Sequence, residues 1–209
     1  MNESGRVEAF SDGVIAIAIT LLVLEIRVPE VHDRGLGDAL AHQWPSYAAY
    51  ALTFVVIGIM WINHHAMFEQ IVHVDRGLLL LNIMLLMGIA FLPFPTALVA
   101  RYLREGDDGR VATAVYAFTM VLIGCGFLAL WWYLSRHPRL LRPAFGVAGA
   151  RQLLRRTVVG PSLYGVSFVV ALIAPIAALV VWAALAVYFM FPAASQRWRD
   201  DEPSTQEPA

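Results

Sequence analysis

Four long stretches without a charged residue constrain what this chain can fold into. They cover residues 45–68, 77–100, 111–135 and 157–196. A membrane-spanning helix needs about 20 predominantly apolar residues, so each of the first three stretches fits one span. The fourth stretch is too long for one helix and contains Pro175 near its middle. It therefore predicts two spans joined by a tight turn.

A further helix at the start of the chain brings the predicted number of spans to six. The chain is 59% hydrophobic and 15% charged, whereas a soluble domain carries about 25% charged residues. We predict an all-α integral membrane protein whose six-helix domain covers residues 1–196. The predicted helices cover residues 6–28, 45–68, 77–100, 111–135, 157–174 and 176–194, with a disordered cytoplasmic tail at residues 197–209. Pro93 and Pro95 predict a bend in the third helix.

The distribution of arginines predicts that both termini lie inside the cell. Cytoplasmic segments carry an excess of basic residues, and an N-terminus inside gives ten arginines on the inner side against five on the outer side. Six of those ten lie in residues 136–156, where leucines are interspersed among them. This loop predicts either an interfacial helix on an anionic leaflet or, preferably, an ordinary cytoplasmic anchor.

The first helix places charged residues beside an apolar segment that is too short to span a bilayer alone. Arg6 and Asp12 precede residues 13–24, which carry no charge. A charge at membrane depth is costly unless it is paired or reaches water. We therefore expect neighbouring helices to shelter this helix, or the helix to line a wet cavity.

One stripe of the first helix is a candidate pore lining. At about 100° per residue, one face collects Phe10, Gly13, Ile17, Thr20, Leu21 and Leu24. Around a symmetry axis, rings of Ile17, Leu21 and Leu24 would form an apolar constriction that gates by dewetting. Thr20 would add a ring of hydroxyls, and Glu25 would concentrate cations at the outer mouth. The same stripe is also typical of a helix that packs against another helix.

The polar residues of the first three helices predict a structural network at the cytoplasmic ends. Asp12 points nearly opposite to the stripe, and the residues expected at similar depth are Arg6, Ser11, His64, His65 and Asn82. We predict a hydrogen bond between Asp12 and one of the histidines. Adjacent histidines on a helix point about 100° apart and do not chelate one metal, so neither a metal site nor a cofactor is predicted.

Four motifs in order over residues 6–100 resemble one known family. They are Arg6-x-x-x-Phe10-Ser11-Asp12, then Trp61-Ile62-Asn63-His64-His65, then Asp75-Arg76 with Asn82, and finally Leu92-Pro93-Phe94-Pro95-Thr96. This pattern is similar to bacterial members of the transmembrane protein 175 family, the lysosomal-type potassium channels. Beyond residue 100 the resemblance rests on length and hydropathy.

The resemblance implies a homotetramer in which the first helix lines a central pore. It places the narrowest ring at Ile17, a contribution to selectivity at Ile17 and Thr20, and further apolar layers at Leu21 and Leu24. The group Phe10-Ser11-Asp12 is implied to join the network behind the pore. The family lacks a Thr-Val-Gly-Tyr-Gly filter, and this chain contains no such segment.

These features predict a potassium-permeable channel in a bacterial plasma membrane and not an enzyme. The expected partners are further copies of the chain, the lipid bilayer and monovalent cations, with no nucleic acid. A secondary transporter is the first alternative, although no internal repeat of the kind typical of transporters is visible. A non-conducting membrane scaffold is the second alternative.

Overall fold

The computed structural model describes residues 3–29 and 35–190, and these ranges are helical apart from connecting loops and one isolated bridge. The α-helices are α1 Glu3–Leu21, α2 Leu36–His42, α3 Trp44–Phe68, α4 Arg76–Phe91, α5 Pro93–Tyr102, α6 Gly106–Arg136, α7 Gly146–Thr157, α8 Val159–Ala171 and α9 Pro175–Met190. Two 3-10 helices, Leu22–Glu25 and Pro138–Leu140, follow α1 and α6. The predicted all-α class is confirmed.

Among the residues that the structure describes, four helical segments are long and apolar enough to cross a membrane by length and composition. They are Glu3–Glu25, Trp44–Phe68, Arg76–Tyr102 and Gly106–Arg136. The α8 helix has 13 residues, about 20 Å at 1.5 Å per residue, against a hydrocarbon core of about 30 Å. The six-span topology and the orientation therefore stay predictions. The predicted tail at 197–209 lies outside the described residues, as do residues 191–194 of the last predicted helix.

The third apolar stretch is interrupted where its prolines fall. The α4 helix ends at Phe91 and α5 begins at Pro93, because a proline has no backbone N–H to continue the ladder. Thr96 stabilises the break: its hydroxyl lies 2.8 Å from the Leu92 carbonyl and 3.1 Å from the Thr53 hydroxyl. The Thr53 hydroxyl in turn lies 3.1 Å from the Tyr116 hydroxyl. A buried polar group thus joins α3, α5 and α6 beside the break.

The long α6 helix is the central packing element and contacts α4, α5, α7 and α8. Small residues allow close approach between membrane helices. A Cβ added at Gly124 would lie 2.9 Å from Pro161 of α8, and one added at Gly88 would lie 2.9 Å from Ile123 of α6. The close packing of α6 on α4 and α8 therefore requires glycine, which has no side chain, at positions 88 and 124.

The loop between α3 and α4 is paired with the loop between α6 and α7. The Val72 N–H donates to the Leu140 carbonyl at 2.8 Å, and the Arg142 N–H donates to the Gln70 carbonyl at 2.9 Å. Asp75 caps α4 by accepting from the Leu78 N–H at 3.0 Å. These contacts tie the two loops into one surface at the end of the molecule where α1 begins.

Asp75 is the polar centre of this surface. The Tyr133 hydroxyl lies 3.0 Å from each Asp75 oxygen, and an Arg139 nitrogen lies 3.6 Å from one of them. Desolvation raises the pKa of Asp75, but the hydrogen bonds from Leu78 and Tyr133 and the charges of His137 and Arg139 outweigh it. The pKa of Asp75 is therefore lower than its ordinary value.

Candidate functional site

The α1 helix has one buried face and one face that residues 3–29 and 35–190 leave uncovered. Ser11, Ile15, Ala18 and Leu22 are buried almost completely against the rest of the chain. This i, i+4, i+7, i+11 spacing defines one side of a helix. The predicted stripe lies on the other side, where its large members are Phe10, Ile17, Leu21 and Leu24, from 42% to 71% exposed.

The exposed stripe differs in composition from the outer face of α4. The outer face of α4 presents bulky side chains such as Ile83, Met84 and Met87, as expected of a surface in contact with lipid. The face of α1 also exposes Gly13 and Thr20. This surface alternates bulky and small residues, and it carries an exposed hydroxyl.

The Thr20 hydroxyl is oriented by its own helix. Its oxygen lies 2.9 Å from the Ala16 carbonyl and 3.0 Å from the Ile17 carbonyl. The hydroxyl hydrogen is donated to these carbonyls, so the two lone pairs of the oxygen are available to accept a hydrogen bond or contact a cation. Glu25, half-buried in the 3-10 helix after α1, lies at the opposite end of this segment from the charged residues near the N-terminus.

A buried hydrogen-bonded chain anchors the opposite face of α1. His64 of α3 lies 2.9 Å from the Asn82 side-chain oxygen, and the Asn82 amide donates to the Ser11 hydroxyl at 2.9 Å. Ser11 donates in turn to the Val7 carbonyl at 2.9 Å. His64, Asn82 and Ser11 are each at most 1% exposed. Three helices, α1, α3 and α4, therefore meet through one fully buried polar chain.

A second set of polar contacts joins one edge of α1 to α3. The Trp61 indole N–H donates to Asp12 at 2.9 Å, and His65 lies 2.7 Å from a Glu8 oxygen. The Trp61 and His65 rings stack with centroids 6.0 Å apart. Glu8 and Asp12 are one helical turn apart, and so are Trp61 and His65, so the two pairs form an antiparallel ladder, called the α1–α3 ladder below.

The predicted hydrogen bond between Asp12 and a histidine is not formed. Adjacent histidines diverge by about 100° on a helix, and the structure uses this divergence: His64 points to Asn82, while His65 points to Glu8. Asp12 instead accepts from Trp61. Sequence reasoning missed Glu8 and the role of Trp61, although their matching four-residue spacings were visible.

Two residues of the predicted network lie outside it. Phe10 and Arg6 are both exposed in the subunit, and at about 100° per residue they lie on the same side of α1 as Ile17. Within residues 3–29 and 35–190, Arg6 takes part in no recorded salt bridge. The same described ranges contain no cluster of three metal-binding side chains.

Comparison with known proteins places this arrangement in a family. The sequence profile described as Endosomal/lysosomal potassium channel TMEM175 matches residues 6–93. A protein named potassium channel from Streptomyces collinus is 48% identical over 192 residues, covering 91% of this chain and 93% of the relative. Another of that name from Chamaesiphon minutus is 42% identical over 191 residues, covering 90% and 94%.

A solved structure extends the similarity to the fold. The crystal structure of a lysosomal potassium-selective channel TMEM175 homolog from Chamaesiphon minutus matches with a TM-score of 0.80 and 41% identity. The match covers 90% of this chain and 96% of that chain. The exposed stripe, the buried chain and the motifs that carry them thus occur in a sequence that is similar to these proteins over most of its length. The chain belongs to the TMEM175 family.

Proposed function

We propose that the protein is a potassium-permeable cation channel in which α1 lines the pore of a homotetramer. The observation that carries the proposal is the asymmetry of α1: the stripe is uncovered within the subunit, whereas the opposite face is buried and hydrogen-bonded. Relatives named potassium channels support the choice of ion.

The constriction follows from placing four stripes around one axis. Ile17, Leu21 and Leu24 then form successive apolar rings, which exclude water when narrow and conduct when they widen and become wet. The Thr20 hydroxyl oxygens lie between the first two rings and offer a polar step to a partly dehydrated cation. We assign discrimination between cations to Ile17 and Thr20, and cation enrichment at the outer mouth to Glu25.

The buried chain and the ladder have a structural role in this proposal. They fix the rotation of α1 about its own axis, since both Ser11 and Asp12 are held by neighbouring helices. A rotation of one residue, about 100°, would remove Ile17 from the axis. The network of Ser11, Asp12, His64, His65 and Asn82 therefore determines which side chains reach the pore.

The proposed membrane arrangement follows the distribution of charge. The N-terminus and the arginine-rich segment around α7 lie in the cytoplasm, and the protein resides in a bacterial plasma membrane. The α8 and α9 helices supply the fifth and sixth spans, with α7 extending α8 toward the inner surface.

The direct test measures ion flux into liposomes that contain the purified full-length protein. We expect a potassium gradient alone to drive flux, with a smaller rate when sodium replaces potassium on both sides. A requirement for a counter-ion or a second substrate, with saturation at low concentration, would support a transporter. Equal and negligible flux for both cations, persisting in an Ile17→Asn variant of correct assembly, would contradict the channel and support a scaffold.

A further inference from the structure

The α7 helix is amphipathic, and its basic face has no partner within the described chain. Ala150 is fully buried, and Leu153 and Leu154 pack against the same core. Arg151 and Arg155 are exposed on the other side. Arg156 is half-buried, and helical spacing places it at the edge of that side, so the basic face consists of two exposed arginines and one half-buried arginine.

The surroundings of this basic face offer little negative charge. Residues 109–199 contain no aspartate or glutamate, and the first acidic residues after α7 are Asp200, Asp201 and Glu202. The nearest acidic centre described above, Asp75, pairs with Arg139. Among residues 3–29 and 35–190, no recorded salt bridge involves an arginine of α7. Within the described part of the chain, no recorded ion pair neutralises the positive charge of α7.

The register between α6 and α8 fixes the depth of α7. Pro161 lies against Gly124, and the Thr113 hydroxyl lies 3.4 Å from the Ala171 carbonyl, so α8 runs antiparallel to α6. Because only Val158 separates α7 from α8, α7 continues toward the C-terminal end of α6.

That end of α6 carries features of a membrane interface. Trp131, Trp132 and Tyr133 follow one another there, and tryptophan and tyrosine concentrate at the level of lipid headgroups. Phe145, directly before α7, contacts Trp131 with ring centroids 6.0 Å apart. The Arg136 guanidinium lies over the Trp132 ring, 5.1 Å from its centroid. The α7 arginines therefore lie near headgroup depth.

We propose that α7 binds the phosphate headgroups of anionic phospholipids through Arg151, Arg155 and Arg156. Ala150, Leu153 and Leu154 pack α7 against the core of the protein. The guanidinium groups form charge-assisted hydrogen bonds to phosphate oxygens. A basic residue near an anionic membrane surface strengthens binding about fivefold. The occupant is a membrane lipid, and its binding is separate from ion conduction.

The test compares phosphatidylglycerol with phosphatidylcholine of the same acyl chains, bound to the detergent-purified full-length protein and counted by native mass spectrometry. We expect phosphatidylglycerol to bind more tightly. The R151Q/R155Q/R156Q variant should lose at least about tenfold in that preference, up to about 100-fold if the three contributions add. The R151K/R155K/R156K variant keeps the charge and should retain most of it.

The matched control is R27Q/R101Q/R104Q, which removes three exposed arginines from the opposite end of the molecule and should keep the preference. An unchanged preference in the α7 triple glutamine variant would overturn the proposal. Displacement of the lipid by millimolar inorganic phosphate would also overturn it, since a soluble anion would then be the ligand. If the triple variant aggregates, Arg155→Gln alone should lower the preference about fivefold, and no change in it would contradict the proposal.

Discussion

Ile17 is the side chain on which the proposed conduction path depends most directly. It is 61% exposed in the subunit although it lies in the uncharged second half of α1. Replacing Ile17 with Asn should hydrate its ring, raise cation flux and reduce the preference for potassium over sodium. The liposome flux assay measures both quantities.

Ile83→Asn provides the matched control for this prediction. Ile83 is 48% exposed on α4, on the surface that we assign to lipid. The same substitution there should leave the potassium-to-sodium ratio unchanged in protein that assembles normally. Equal effects of the two substitutions would place the constriction elsewhere.

Asn82 should contribute to stability through both of its hydrogen bonds. Asn82→Ala leaves Ser11 and His64 buried without their partner, and an unsatisfied buried group costs about 1–3 kcal/mol. We expect a lower unfolding temperature by detergent-based thermal unfolding. Asn63→Ala, at an exposed position on α3, is the control and should change it little. Similar losses in both variants would indicate that the buried chain adds no particular stability.

Asp75 should give part of the stability a dependence on pH. Its pKa is depressed in the folded state, so its contribution is present above the unfolded pKa of about 3.9 and is lost as pH falls toward the folded pKa. Asp75→Asn keeps a good helix cap but removes the charge. The variant should be less stable than the parent at neutral pH, and this difference should shrink below about pH 4. A difference independent of pH would assign the effect to packing.

The histidine pair illustrates what the sequence could determine at the residue scale. Helical periodicity was sufficient to separate the exposed stripe from the face that carries Ser11. It could not identify which neighbour each polar residue meets, because that choice depends on the relative rotation and sliding of three helices. His64 lies in one hydrogen-bonded chain with Asn82 and Ser11, whereas His65 pairs with Glu8 and Asp12 accepts from Trp61.

At the scale of elements, the contact between α6 and α8 depends on Gly124. A Cβ at this position would lie 2.9 Å from Pro161, whose ring cannot swing away. Gly124→Ala should therefore separate the helices and destabilise the protein by about 1–3 kcal/mol. Gly165→Ala on α8 is the matched control, since its Cβ would meet nothing within 4 Å. It should be neutral or stabilising by up to about 1 kcal/mol. Thermal unfolding distinguishes the two, and equal shifts would contradict the close-contact argument.

Helix boundaries could be predicted where they depend on local chemistry. The break before Pro93 follows from a missing backbone donor and needs no tertiary information. The predicted start of the fifth span at residue 157 lies two residues before α8 begins at Val159. The uncharged run starts directly after Arg156, and Pro161 fits the first turn of a helix. The sequence did not predict that α7 would form a separate helix directly before this boundary.

At the scale of the whole molecule, the proposed homotetramer, a number that the family resemblance implies, places the uncovered stripes of four copies around one axis. In a Cys125→Ser background, Leu21→Cys would place a thiol from each subunit close to the axis. Mild oxidation in membranes should then yield disulfide-linked dimers, and light scattering of the detergent-purified parent should give the protein mass of four chains. Met84→Cys, on the outer face of α4, is the control and should remain monomeric under oxidation. Equal crosslinking at both positions would contradict the arrangement.

The α1–α3 ladder makes the sliding of α1, the proposed pore helix, discontinuous. Moving α1 by one turn, about 5.4 Å, in one direction would bring Asp12 to His65 but would set Glu8 against Glu69. Moving it one turn in the other direction would offer Glu8 to Trp61 and leave Asp12 facing Ile57. Every shorter displacement breaks both rungs. The α1–α3 ladder thus favours a single axial position of α1 relative to α3. If α1 gates the proposed pore, we expect it to tilt about this contact and not to slide along α3.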